Sequence, residues 1–259
     1  MIARPAAVAG MFYPAEPATL KRTVAELLAA APDPRKDAKV IIAPHAGYPY
    51  SGVTAAHAYR QLEARRGLIR RVVLLGPAHR VYLKGMAVPS VDAFTTPLGE
   101  VRIDADGIRQ AQEVPGVQVS DEAHAEEHSL EVHLPFLQSL LGDFLLVPVV
   151  VGVCTAQHVN ALLDALWGGD ETAIVVSSDL SHFHSYTEAR EIDANTTARI
   201  EALETNLHGE DACGAHALNG LMLAARARGL KVHTLDVRNS GDTAGDKFRV
   251  VGYGAYALA

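Results

Sequence analysis

The sequence predicts a single α/β domain over residues 1–259, with a central mixed or mostly parallel sheet flanked by helices. Three observations predict this class. Short runs of consecutive apolar, β-branched residues are typical of strands that are buried on both faces. Stretches with apolar residues at helical spacing alternate with these runs, which is the pattern of βαβ units. No repeat of fixed period and no long linker interrupts the chain, so one domain is the simplest organisation.

In the first half of the chain, helical and strand-like segments alternate. Apolar residues from Leu20 to Leu28 recur at helical spacing, and a Pro-Asp-Pro sequence ends that helix. A loop rich in Gly, Pro and Tyr is expected at 45–52. The expected elements are a helix over 18–31, a strand over 40–44, a helix over 53–63, a strand over 72–76, and short strands with turns over 86–103.

The second half of the chain continues the alternation. Pro135 must start or kink its first helix, since proline is poorly tolerated in a helix interior. The final segment alternates valine and tyrosine with small residues and predicts a strand. The expected elements are a helix over 129–141, a strand over 145–151, a helix over 157–166, a strand over 173–178, helices over 187–203 and 213–228, and strands over 231–237 and 248–258.

Composition and charge restrict the classes of function. The formal net charge of -7 argues against nucleic acid or an anionic membrane surface as the main partner. No apolar run approaches the roughly 18–20 residues of a membrane span, and no signal peptide is recognised, so the cytoplasm is the expected location. The two cysteines, Cys154 and Cys213, do not indicate a disulfide framework.

Polar side chains follow three of the apolar strands. His45, His79 and Asp179 come at or just after the ends of these strands, and His182 lies three residues beyond Asp179. In open α/β sheets, ligands bind in the crevice beyond the carboxyl ends of the strands. The sequence therefore predicts a mononuclear metal site or an acid/base site at this edge of the sheet.

The roles within this group are open at this point. Imidazole is the commonest protein ligand for Zn, Cu and Fe, so we interpret His45 and His79 as joint metal ligands. Asp179 could ligate the metal, orient His182 by accepting its ring proton, or simply cap a turn. His182 could act as a general base.

A dense polar stretch over 124–133 contains the sequence H-x-x-E-H, the pattern of inverted zinc proteases. On one helix, His124 and His128 would share a face and bind Zn²⁺, with Glu127 as the base. The turn-prone residues before it and Pro135 after it disfavour such a helix. The alternative is a solvated helix start with acidic residues in its first turn.

Cys213 and the loop over 239–246 are two further candidates. A cysteine near a helix N-terminus has a lowered pKa, so Cys213 could ligate a metal or react, or it could be a small buried residue. The Gly-rich polar loop could line the pocket or be a plain connection, and it lacks the phosphate-loop pattern.

Eight segments together resemble the signatures of the Memo family, whose prokaryotic members are known as protein B of the AmmeMemoRadiSam system. They occur in the right order from about residue 4 to 258. The matching segments are 4–14, 44–52, 76–79, 127–135, 177–182, 213–214, 239–246 and 250–253.

The resemblance implies the fold of the class III, LigB-type extradiol dioxygenases, which hold non-haem Fe(II) with two histidines and a glutamate and use a further histidine as acid/base. Carried over to this sequence, the metal ligands would be His45, His79 and Cys213, and the acid/base pair would be His182 with Asp179. Cysteine replaces the carboxylate, and two imidazoles with a thiolate favour a single Fe or Cu ion, or a redox role.

The remaining expectations also follow from the resemblance. The substrate pocket would include Tyr48, Tyr50, His128 and Asp242, and the partners would be a small molecule or peptide, with AMMECR1-like and radical SAM proteins. The leading hypothesis is a dioxygenase-like, metal-dependent oxidoreductase with Fe(II) or Cu. The alternative is a non-catalytic scaffold that binds a peptide or ligand in the same pocket.

Overall fold

A nine-stranded sheet forms the centre of the computed structural model, which describes residues 2–34 and 36–259. The strands are β1 (Ala3–Arg4), β2 (Val40–Ala43), β3 (Arg71–Pro77), β4 (Met86–Val88), β5 (Ala93–Thr96), β6 (Gly99–Arg102), β7 (Val117–Val119), β8 (Leu145–Val151), β9 (Thr172–Ser177), β10 (His182–His184), β11 (Val232–Asn239) and β12 (Val250–Leu258). The helices are α1 (Pro17–Ala30), α2 (Tyr48–Tyr59), α3 (Ala105–Gln112), α4 (Asp121–Ala125), α5 (His128–Glu131), α6 (Leu134–Leu141), α7 (Ala156–Leu166), α8 (Tyr186–Glu201) and α9 (Ala215–Ala227). Short 3₁₀ helices cover Arg60–Arg65 and Ser240–Asp242.

The large sheet is mixed, with a parallel centre. Its strand order is β10-β12-β2-β9-β3-β8-β4-β7, and β11 pairs with β12. The four central strands, β2, β9, β3 and β8, run parallel to one another. At one side of this block β12 pairs with β2 in the antiparallel direction, and at the other side β4 pairs with β8 in the same way. A separate small sheet has the order β1-β5-β6. The predicted fold class, α/β with a central mixed sheet flanked by helices, is confirmed.

Two apolar cores lie on opposite faces of the sheet, because successive strand residues point to opposite sides. In β3, Val72 and Leu74 pack into one core and Val73 and Leu75 into the other, and all four are fully buried. Residues of α1, α2 and α6 contribute to the first core, and residues of α7 and α9 to the second. Strands covered on both faces explain the continuous apolar runs in the sequence.

Two of the expected helices have clearly different bounds in the structure, and α3 had not been expected. α2 begins at Tyr48, not at residue 53, so the expected loop at 45–52 is largely helical. The expected helix over 129–141 is two helices, α5 and α6, which meet at Val132 and His133. Pro135 lies in the first turn of α6, where its missing N–H leaves no hydrogen bond unmade.

A buried carboxylate ties the N-terminal segment to α5. Glu131, fully buried, forms an ion pair with Arg4 at 2.7 Å and accepts hydrogen bonds from the Tyr13 hydroxyl at 2.6 Å and from the backbone N–H groups of Ala7 and Val8. Arg4 also donates to the backbone carbonyls of residues 124 and 127. The N-terminal segment therefore fixes the position of α5 on the sheet.

In the part of the chain that the structure describes, no helix combines the length and the apolar character that a bilayer crossing requires.

Replacing Glu131 with glutamine tests the importance of this tie. We expect Glu131→Gln to lower the free energy of unfolding by about 3–5 kcal/mol, because Arg4 would keep a buried charge without its counter-ion. The measurement is urea denaturation followed by circular dichroism. The control is Glu26→Gln, which breaks the exposed pair with Arg22 and should cost less than about 1 kcal/mol. Equal effects of the two substitutions would contradict the structural role of Glu131.

Candidate metal centre

Three adjacent parallel strands bring three polar residues to one edge of the sheet. His45 lies just beyond β2, Asp179 beyond β9 and His79 beyond β3, and these strands are neighbours in the order β2-β9-β3. Parallel strands end on the same edge, so the three residues share the crevice where ligands of such sheets bind. The structure thus brings together these three residues, as the strand pattern indicated.

A third histidine joins His45 and His79. One ring nitrogen of each of His45, His79 and His128 lies within 4.8 Å of the other two. The ring centroids of His79 and His128 are 4.7 Å apart, and those of His45 and His79 are 5.1 Å apart. His128 starts α5. This helix can pack closely on β3 because Gly76 has no side chain, and a Cβ at that position would collide with Leu130 and Ser129. Among the described residues, this triad of histidines forms the group whose potential ligand atoms all lie close enough to hold one metal ion.

His45 is held from behind by hydrogen bonds. Its Nδ1 contacts the Ser177 hydroxyl at 2.6 Å, and its backbone N–H donates to the Asp179 carboxylate at 2.8 Å. Burial lowers the pKa of His45 well below its usual range, and the neighbouring imidazoles of His79 and His128 add to this effect. The ring is therefore neutral at neutral pH, and a neutral imidazole nitrogen is a metal ligand.

His79 is oriented by a buried carboxylate. Glu127 accepts hydrogen bonds from the His79 backbone N–H at 2.6 Å and from its Nδ1 at 2.9 Å, and it caps α5 through the Ser129 N–H. Burial alone would raise the pKa of Glu127, but the hydrogen bonds from His79 and Ser129 help to outweigh it and lower the pKa to about 2. An ionised carboxylate only accepts hydrogen bonds, so Nδ1 of His79 carries the proton and Nε2 is available to a ligand.

His128 completes the group as a neutral, half-buried ring. Burial lowers its pKa to about 4, although the charge of Glu127 acts in the opposite direction. Its Nδ1 is buried, lies 3.5 Å from a Glu127 oxygen and has no hydrogen-bond partner among the described residues. The Phe12 ring, with its centroid 4.6 Å away, covers part of the imidazole.

Cys213 lies beside His45. Its Sγ is 3.4 Å from His45 Nε2 and 3.3 Å from the backbone N–H of Asp179. The next residue, Gly214, lets the loop approach β9 closely, since a Cβ there would come within 2.7 Å of the Ser177 carbonyl oxygen. A distance of 3.4 Å between sulfur and nitrogen suits two ligands of one ion, given metal bonds of about 2.3 Å and 2.1 Å.

The thiol of Cys213 does not have the lowered pKa that the sequence suggested. α9 begins two residues later, at Ala215, and burial raises the pKa of the thiol to about 12, with the charge of Asp179 adding to the rise. A thiol in this setting is protonated unless a cation takes the place of the proton. The predicted metal role of Cys213 stays a prediction.

Asp179 and His182 are placed differently from the predicted pair. The Asp179 carboxylate accepts the His45 backbone N–H, and burial raises its pKa to about 7. Within the described residues, no hydrogen bond joins it to His182, so it does not orient that ring by the expected contact. His182 lies on edge strand β10 and is half-buried, and burial lowers its pKa, with the nearby His79 contributing.

The predicted pocket residues Tyr48, Tyr50 and Asp242 lie in three different surroundings. Tyr48 is 4% exposed and donates its hydroxyl to the Val132 carbonyl at 2.7 Å, so it belongs to the core, not to a pocket wall. Tyr50, on the same helix, is exposed. Asp242 accepts the Tyr186 hydroxyl at 2.6 Å and lines a surface cavity of about 340 Å³. The predicted pocket roles of Tyr50 and Asp242 stay predictions.

The H-x-x-E-H protease site does not form. His124 lies on α4 and His128 on α5, with Glu127 between the two helices, so no single helix presents both histidines on one face. His124 is buried, and its Nε2 contacts the Ala87 carbonyl at 3.0 Å. The helix is interrupted inside the motif, because Glu126 is the C-cap of α4 and Glu127 is the N-cap of α5.

The donor set fits one metal ion. Neutral imidazole nitrogens and thiolates bind transition metals, and three imidazoles converge here beside the Cys213 thiol, which would lose its proton on binding the ion. The Nδ1 of His128 is buried, has no hydrogen-bond partner in the described chain and lies 3.5 Å from a Glu127 oxygen, so no hydrogen bond from the described protein fixes which of its nitrogens carries the proton. Glu127 and Ser177 supply the contacts to Nδ1 that usually orient metal-binding histidines.

From the sequence, Ser177 and His133 had no expected role in this site, and Glu127 was expected only as the base of a zinc protease. Ser177 is the last residue of β9, and Glu127 precedes α5, in the segment that was weighed as a protease motif. Their contacts join segments that are far apart in the chain, as in the 2.9 Å bond between Glu127 and His79. The one signal in the sequence is their proximity to the strand ends and to other histidines.

Comparison with known proteins shows which family of sequences this chain is similar to. The profile of the family described as "Memo-like protein" matches residues 4–257. A MEMO1 family protein of Aquifex aeolicus (strain VF5) is 36% identical over 265 residues, covering 98% of this chain and 98% of the relative. A MEMO1 family protein of Methanopyrus kandleri is 36% identical over 276 residues, covering 97% of each chain. One of Sulfolobus acidocaldarius is 32% identical over 273 residues, covering 95% of this chain and 96% of the relative.

A crystal structure of an uncharacterized protein from Escherichia coli K12 has a TM-score of 0.48 to this chain at 13% identity and covers 83% of it and 98% of the other chain. This distant likeness says nothing further about the protein. The match to the family profile extends over nearly the whole chain, and the three relatives share about a third of its residues. The chain therefore belongs to the Memo-like protein family.

Proposed function

We propose that this protein is a metal-dependent oxidoreductase of dioxygenase-like fold, with one Fe or Cu ion at the edge of the sheet. The observation that carries the proposal is the convergence of His45, His79 and His128, whose ring nitrogens lie within 4.8 Å of one another, with the Cys213 thiol 3.4 Å from His45. A site with both nitrogen and sulfur donors suits redox-active transition metals.

The proposed ligands are His45, His79 and Cys213, which would leave at least one coordination position open, and the neutral His128 ring lies nearby, with a nitrogen within 4.8 Å of those of His45 and His79. A catalytic site needs such an open position for the substrate or water. Bound Fe(II) or Cu would supply one-electron chemistry with oxygen, which protein side chains alone do not provide. The protein's own contribution is to fix the imidazoles and to shield them from bulk water.

His182 is the proposed acid/base group. Its pKa is lowered by burial, so the ring is neutral at neutral pH and can first accept a proton from a substrate hydroxyl and later return it. Asp179, which holds the His45 backbone, sets the position of a ligand and is not the direct partner of His182. Association with AMMECR1-like and radical SAM proteins stays a prediction from the family resemblance.

Metal content is the first test of the proposal. We expect purified protein to bind one equivalent of Fe(II) or Cu, and His45→Ala to lose it, because a central ligand is removed. The measurement is elemental analysis by mass spectrometry after dialysis, with anomalous scattering at the iron, copper and zinc edges to place the ion. His216→Ala is the control, since His216 is an exposed residue of α9. Retention of the metal by His45→Ala would contradict the proposed site.

The third ligand can be identified with Co²⁺ as a spectroscopic substitute. We expect the Co²⁺ protein to show a near-ultraviolet charge-transfer band from the Cys213 thiolate, and Cys213→Ser to lose this band. His128→Gln should keep it. A wild-type spectrum without the band, together with loss of Co²⁺ binding in His128→Gln, would show instead that the three histidines bind the ion.

Oxygen uptake tests the redox function. With ascorbate as the electron donor, two electrons and two protons convert O₂ to H₂O₂, and both oxygen and peroxide are measured. We expect turnover by the metal-loaded wild type and a decrease of about 100-fold in His182→Gln, whose metal content should be unchanged. One equivalent of bound metal without oxygen uptake above that of the free ion would favour the alternative, a scaffold that binds a ligand in this pocket.

A further inference from the structure

A continuous hydrogen-bonded chain lies behind His45, on the side away from the metal site. The Ser177 hydroxyl contacts His45 Nδ1 at 2.6 Å and His133 Nε2 at 2.8 Å, and His133 Nδ1 in turn contacts the Tyr59 hydroxyl. All four residues are at most 2% exposed. Water therefore cannot substitute for a missing partner without opening the core, and each proton in the chain must have a defined position.

The position of the Ser177 proton follows from a fifth group. The Ser177 hydroxyl oxygen lies 2.7 Å from the backbone carbonyl oxygen of Ser129. A carbonyl only accepts hydrogen bonds, and a serine hydroxyl has one proton, so that proton points to Ser129. Both histidine nitrogens that contact the Ser177 oxygen must then donate to it.

The proton positions on both rings are thereby determined. In a neutral imidazole one nitrogen carries a proton and the other a lone pair. His45 donates through Nδ1, so its lone pair is on Nε2, the atom that lies 3.4 Å from Cys213 Sγ. His133 donates through Nε2, so its Nδ1 accepts the proton of the Tyr59 hydroxyl. Every donor in the chain has an acceptor.

We infer that Ser177, His133 and Tyr59 are positioning residues that hold His45 in the Nδ1–H tautomer and so present its Nε2 lone pair to the metal site. This inference rests on the proposed function in taking His45 as a ligand. If the proton of His45 were on Nε2 instead, the lone pair of Nδ1 would face the Ser177 oxygen in a fully buried site, which is unfavourable. Nε2, which faces the metal site, would then have no lone pair to bind a cation.

His45 and His79 donate their Nδ1 hydrogen bonds to acceptor groups of different charge. His79 donates to the ionised Glu127 carboxylate, whereas His45 donates to a neutral hydroxyl. A carboxylate makes an imidazole a stronger donor to a metal than a neutral acceptor does. The hydroxyl therefore fixes the tautomer of His45 without a carboxylate at Nδ1, and the Asp179 carboxylate lies instead 3.9 Å from Nε2.

The test is nuclear magnetic resonance of the metal-free, nitrogen-15-labelled protein. Two-bond proton–nitrogen correlations of the imidazoles report which ring nitrogen carries the proton, and His45→Gln and His133→Gln assign the signals. We expect the Nδ1–H pattern for His45 and the Nε2–H pattern for His133 in the wild type. The opposite pattern for either ring would overturn the inference, whatever the behaviour of any variant.

The Ser177→Ala variant tests the cause. We expect its His45 signals to shift towards the Nε2–H form, and its dissociation constant for Co²⁺ to rise roughly 10- to 100-fold. If this variant does not fold, Ser177→Cys replaces it, because sulfur is a weak acceptor. Ser139→Ala is the control, since the Ser139 hydroxyl has no hydrogen-bond partner in the described chain, and neither property should change.

Two outcomes distinguish the positioning role of Ser177 from a purely structural role and from failure of the proposed function. A purely structural Ser177 would lower stability in Ser177→Ala and leave the tautomer and the Co²⁺ affinity unchanged, which would overturn the positioning role. If the wild-type protein shows the expected tautomers but binds no metal, the hydrogen-bond assignment stands and the result counts against the proposed function instead.

Discussion

The parallel pairing of β2, β9 and β3 is the constraint on which the site depends. Because these strands are adjacent and run in the same direction, the residues that follow them must emerge together at one edge. The edge receives His45, His79 and Asp179 from positions that are spread over 134 residues of the chain. The apolar residues of the strands, buried on both faces, hold this edge rigid beneath the imidazoles.

Burial gives the site its chemistry. The same exclusion of water that stabilises the two cores lowers the pKa of His45 and His128, so their nitrogens are lone-pair donors at neutral pH. Burying polar rings would be costly without partners. Ser177 and Glu127 provide those partners and leave the nitrogens that face the crevice available. The hydrogen bonds that offset the cost of burial are thus the same ones that orient the proposed ligands.

The N-terminal segment contributes to the site although it lies outside the large sheet. Arg4 and Glu131 form a buried pair that connects β1 to α5, and α5 carries His128 at its start. Glu127, which caps α5, contacts His79 beyond β3. Helix cap, ion pair and ligand orientation therefore depend on one another.

The sequence by itself determined the fold class, most element positions and the family, because burial on two faces gives continuous apolar strands and because strand ends identify His45, His79 and Asp179. Only the tertiary structure decided the rest. Packing between distant segments decides three features that the local sequence pattern does not record. They are the start of α2 at Tyr48, a residue of the core, the break between α5 and α6, and the separation of His124 from His128. The entry of His128 into the triad and the chain from Tyr59 to His45 join distant segments, and such contacts are set by where the strands and helices meet in space.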